Sequence, residues 1–111
     1  MRDIAAFKAE FAPADRVLPK LLTAQAARFG DAPLFACGPL QLSYGDTQRA
    51  AARAASALTA AGIAQGDRVA IICGNRAEFM PVFLGCGWMG AVSVPVNTAS
   101  RGFQLQHILS N

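Results

Sequence analysis

Apolar residues recur along this chain at two different periods, and almost every periodic stretch stops at a glycine or a proline. Leu21, Leu22, Ala26 and Phe29 form a stripe at helical spacing, opened by Pro19, which a first helical turn tolerates, and closed by Gly30. Leu34 to Cys37 and Leu40 to Tyr44 are strand-like runs on either side of the turn dipeptide Gly38-Pro39, and predict a hairpin. Ser43 with Asp46 three residues on has the form of a capping box, with Asp in place of Glu. It opens an alanine-rich helix that ends at Ala61 with Gly62 as stop. Arg68 to Cys73 follows the turn Gln65-Gly66-Asp67 and is apolar after its first residue, the pattern of a strand buried in a parallel sheet. Asn75, with Glu78 at the third helical position, caps a helix running to about Met89 and stopped by Gly90, in which Pro81 removes one backbone hydrogen bond near the start. Ala91 to Val94 is the next strand, ended by Pro95. Arg101 to Ser110 then opens a last helix, with Phe103, Leu105, Ile108 and Leu109 apolar. The order β-α-β-α-β-α predicts an α/β fold, part of a doubly wound, mostly parallel sheet flanked by helices with right-handed crossovers.

Phe79 to Ser100 carries no charge and is long enough to cross a bilayer. Pro81 and Pro95 interrupt it, Gly85, Gly87 and Gly90 weaken it as a single helix, and Val92, Val94 and Val96 recur at β period. The stretch reads as two buried elements joined by a turn, and no transmembrane span is expected. At the start of the chain, Ile4, Phe7 and Phe11 share one face of a short helix. A terminal helix docked on its own protein or frayed is the favoured reading of that face, with peripheral membrane contact as the other. Scattered charges in the first eleven residues do not fit an export signal.

Composition sharpens this picture. The 111 residues suit one domain at most, yet 53% are hydrophobic and only 15% charged, too apolar for a lone domain of this size. The chain therefore reads as residues 1–16, a lead segment, and 17–111, an incomplete α/β subdomain of something larger. A net charge of +3, spread without like-sign runs, argues against a nucleic-acid module. Three cysteines, Cys37, Cys73 and Cys86, in apolar surroundings and without a C-x-x-C pair support neither a disulfide framework nor a zinc site, and point to a reducing cytoplasm.

The candidate chemistry is sparse. Gly85-Cys86-Gly87-Trp88-Met89-Gly90 matches G-x-G-x-x-G, but the dinucleotide fingerprint needs a strand before the glycines, a helix after them and an acid about twenty residues on. Here a helix precedes and a strand follows, so the glycines are expected to let a helix pack closely on the sheet. His107, the single histidine, has no partner group in sequence and reads as a surface residue. Arg49 and Arg53, one helical turn apart, could face an anion but fit a solvated helix face better. No serine stands in a G-x-S-x-G elbow. No catalytic residue and no metal ligand emerges.

The order of phrases is more telling than any one of them. Leu42-Ser43-Tyr44, Gly66-Asp67-Arg68-Val69-Ala70-Ile71, Asn75 with Glu78, Gly85, Gly90-Ala91-Val92 running into Val94-Pro95-Val96-Asn97, and Arg101-Gly102 with Leu105 and Ile108-Leu109 together resemble the opening of the AMP-forming acyl-CoA synthetases, of the adenylate-forming superfamily. The likeness runs from about Val17 onward, and Asn97-Thr98-Ala99 with Arg101-Gly102 is most similar to the branch that activates fatty acids or carnitine-type carboxylates. The resemblance implies a parent enzyme that joins a carboxylic acid to ATP, with Mg2+, and passes the acyl group to coenzyme A. The family's phosphate loop, nucleotide motifs and catalytic lysine have no counterpart here, so the segment alone is expected to be inactive and to bind none of these cofactors tightly. Arg101 is the one candidate the resemblance offers for contact with coenzyme A. The alternative is a non-catalytic, stand-alone scaffold or interaction module derived from such an enzyme.

Overall fold

A computed structural model describes residues 5, 11–72, 78–96, 99 and 101–110. Helix α1 (Leu18–Phe29) carries Pro19 in its first turn, where the missing amide would have had no intrahelical partner. Leu22 and Ala26 are its buried positions, and the Gly30 amide closes the last turn on the Ala26 carbonyl at 2.8 Å. Ahead of it, Phe11 is buried, and Arg16 Nε donates to its carbonyl at 3.1 Å, so the lead segment is docked at that point. Ile4 and Phe7, the rest of the expected N-terminal apolar face, lie outside the described residues.

The hairpin forms as the sequence implies: β1 (Pro33–Cys37) pairs antiparallel with β2 (Leu40–Ser43) across Gly38-Pro39, with Cys37 opposite Leu40. Gly38 takes φ +60°, a conformation costly to any residue with a Cβ. The two strands make a sheet of their own; among the described residues the parallel pairing is confined to β3 (Arg68–Ile72) and β4 (Val92–Val96). The reason is local. Tyr44 and Gly45 donate back to the Ala32 and Gly30 carbonyls, each at 3.0 Å, which ties the hairpin to the end of α1 and turns the chain directly into α2 (Tyr44–Ala60). The α/β architecture thus consists of two small sheets with helices against them.

The start of α2 follows its sequence signal. Ser43 Oγ accepts from the Asp46 amide at 3.0 Å, the Asp46 carboxylate accepts in return from Ser43, and Thr47 Oγ1 donates to the Ser43 carbonyl at 2.7 Å. Thr47, Ala51 and Ala55, spaced at i, i+4 and i+8, are the buried stripe of this helix. Against that stripe lies α3 (Phe79–Met89), the crossover between β3 and β4. Gly85 is the contact. A Cβ there would stand 2.7 Å from Ala54 Cβ, 3.1 Å from the Ala55 nitrogen and 3.3 Å from the Ala51 carbonyl. On the far side of α3, a Cβ on Gly87 would meet Leu18 of α1 at 2.9 Å. The expectation that these glycines seat a helix on the sheet is corrected here: they seat α3 between two other helices.

Helix α3 begins at Phe79, so Glu78 occupies the cap position and makes no capping bond; Asn75 lies outside the described residues. Pro81 is therefore the third helical residue, one of the four whose amide has no intrahelical acceptor, and no bond is lost. At the other end Gly90 adopts φ +82°, the left-handed cap that ends the helix. The turn before β3 is fastened to this corner. Gly66 donates to the Gly90 carbonyl at 2.9 Å, Val92 to the Asp67 carbonyl at 2.7 Å, and Asp67 Oδ2 accepts from the Ala64 amide at 2.8 Å.

Two strand expectations shift. β4 runs through Pro95, paired with Ile71, rather than ending before it; β4 is bonded on one side only among the described residues, where a proline can face outward. β3 is not buried on both faces: Ile71 is inaccessible at 8%, whereas Ile72 is 52% exposed. Cys73, its expected last residue, is outside the described set. The final helix, α4 (Gly102–Ser110), forms over the expected span but buries none of its residues, and Phe103 is 90% exposed.

Candidate functional site

A cleft of about 660 Å3 lies between the β3–β4 pair and α4. Ala70 and Val94, register partners, form part of its floor, Ile108 and Leu109 of α4 one wall, and Ile63 and Gly66 the turn beside it. Asp67 and Arg68 supply its charge. Asp67 is already engaged through its carboxylate with the Ala64 amide, so its role is to hold the turn. Ser110 also lines it, with its hydroxyl donating to the Gln106 carbonyl at 2.7 Å; the other lining side chains are aliphatic, and Arg68 is exposed. Such a cleft can take an apolar surface but brings no nucleophile, base or convergent set of donors to one point.

The residues singled out in sequence are dispersed. Arg101 stands exposed immediately before α4 and is not part of the cleft. His107 is exposed on α4. Arg49 Nη2 pairs with Asp46 Oδ1 at 2.6 Å on the outer face of α2, and Arg53 is exposed a turn away, as a solvated helix face requires. That guanidinium, with the hydrogen bonds from Ser43, holds the Asp46 carboxyl below its ordinary value of 3.8. Cys86 is fully buried against the helix layer and its thiol is pushed up by desolvation, so it is inert rather than nucleophilic; Cys37 is half-buried on β1. Among the described residues no group of three or more His, Cys, Asp or Glu side chains converges, and no helix is long and apolar enough to cross a membrane. Sequence reasoning missed the cleft because its lining comes from the turn before β3, both strands and the end of α4. Only the Gly66-Asp67-Arg68 phrase gave a local hint.

An α/β unit with a parallel strand pair, its crossover helix wedged between two preceding helices, is the build of the N-terminal domain of acyl-CoA ligases. It superposes on Mycobacterium tuberculosis fatty acyl CoA synthetase with a TM-score of 0.79 and 33% identity, over 85% of this chain and 19% of that one. The AMP-binding enzyme family matches residues 22–111, and the chain belongs to that family. It is similar to the long-chain-fatty-acid–CoA ligase FadD13 of Mycobacterium tuberculosis, 42% identical over 72 residues, which make up 65% of this chain and 14% of that protein. It is also similar to a feruloyl-CoA synthase of Amycolatopsis, 38% identical over 74 residues, 67% of this chain and 15% of that one. The chain thus spans about a seventh of the length of the curated relatives it matches.

Proposed function

We propose that this chain is the N-terminal portion of an ATP-dependent acyl-CoA synthetase, which converts a carboxylate and ATP to an acyl-adenylate and pyrophosphate and then transfers the acyl group to coenzyme A. The observation that carries the reading is the family match across residues 22–111, backed by relatives whose names specify acyl-CoA formation. Residues 1–16 are a lead segment anchored at Phe11, and 17–111 an incomplete subdomain. The described residues do not fit a nucleoside triphosphate and its Mg2+: they hold no convergent acids for the metal, and one exposed arginine at the cleft is no phosphate cradle. The segment's role is therefore to buttress the residues that do the chemistry, and no step is assigned to it. A reducing, cytoplasmic setting fits the buried thiol of Cys86.

Pyrophosphate–ATP exchange measured on the complete gene product against a panel of aliphatic and aromatic carboxylates tests the reading. Exchange with at least one acid supports it. An inert but monodisperse protein would favour the stand-alone scaffold instead. Arg101 is proposed to contact coenzyme A, and Arg101→Ala is expected to raise the KM for coenzyme A while leaving pyrophosphate exchange intact; an unchanged KM removes the assignment.

A further inference from the structure

We draw no further inference here: the strongest candidate, the largely aliphatic cleft between the β3–β4 pair and α4 with Arg68 exposed beside it, carries nothing, because nothing in the structure shows what covers it.

Discussion

Replacing Gly85 with alanine isolates the contact on which the helix layer is built. In an exposed helix the change would stabilise by about 1 kcal/mol, because glycine is the poorer helix former. At this site the new methyl meets Ala54 Cβ at 2.7 Å and two backbone atoms of α2, the Ala55 nitrogen and the Ala51 carbonyl, at 3.1 and 3.3 Å. None of these can swing aside, since alanine has no rotamer and the backbone atoms belong to a helix. Overpacking of this kind costs about 1–3 kcal/mol, and with no flexible neighbour the upper part of that range applies. The expected net loss is about 1–2 kcal/mol once propensity is subtracted. Gly87→Ala is the control: its nearest neighbour is the far end of the Leu18 side chain at 2.9 Å, which can shift, so the change should be neutral or mildly stabilising. Urea unfolding of the complete protein reads both. Adding Ala54→Gly to Gly85→Ala should restore part of the loss, with a coupling of about 1 kcal/mol between the two sites. A Gly85→Ala protein as stable as wild type, or a double variant no better than the sum of its parts, would refute the seating of α3 on α2.

Three further outcomes follow from local chemistry. Ser43→Ala removes the cap of α2 and should lower stability by about 1 kcal/mol in the same unfolding assay, with Ser43→Asp largely sparing it. The Asp46 carboxyl is held low by Arg49 and Ser43, so its stabilisation is complete above pH 3.8 and disappears as pH falls through the lowered folded value; Asp46→Asn should flatten that acid limb in a pH series of unfolding midpoints. Cys86, buried and with its thiol pushed up, should resist iodoacetamide in the native protein while Cys37 is alkylated, and mass mapping should find Cys86 modified only after urea; early labelling of Cys86 would contradict the packing.

What the sequence discloses and what it hides divide along the reach of the interactions. Gly30 and Gly90 as caps, Ser43 with Asp46 as a capping box and Gly38-Pro39 as a hairpin turn are decided within four or five residues, and the structure has each of them in place. The neighbour of Gly85 is decided thirty residues away, by the alanines of α2, and the stripe at Ala51 and Ala55 looks the same whether it meets a sheet or a helix. Pro95 reads as a strand terminator in sequence, but the bond from the Val92 amide to the Asp67 carbonyl sets the ladder so that the Pro95 nitrogen faces away from β3. The cleft has no local signature beyond the Gly66-Asp67-Arg68 phrase, because four separate segments line it. Family membership, by contrast, is legible from ordered phrases, since each marks a turn or cap that the fold repeats.

The seam between α2 and α3 has a thermodynamic character of its own. Where Gly85 crosses α2 the atoms in contact come from Ala51, Ala54, Ala55 and Gly85, residues with no side-chain torsions to freeze, so the helices close on one another at that crossing without surrendering rotamer entropy. For the same reason that crossing has no alternative side-chain packing to adopt. A displacement at the end of β3 or the start of β4 cannot be absorbed by a side chain changing its well; it must be passed through α3 to α2, and from Gly87 to Leu18 of α1, as motion of whole helices. The segment behaves as a rigid wedge, and whatever rests on its sheet inherits that stiffness.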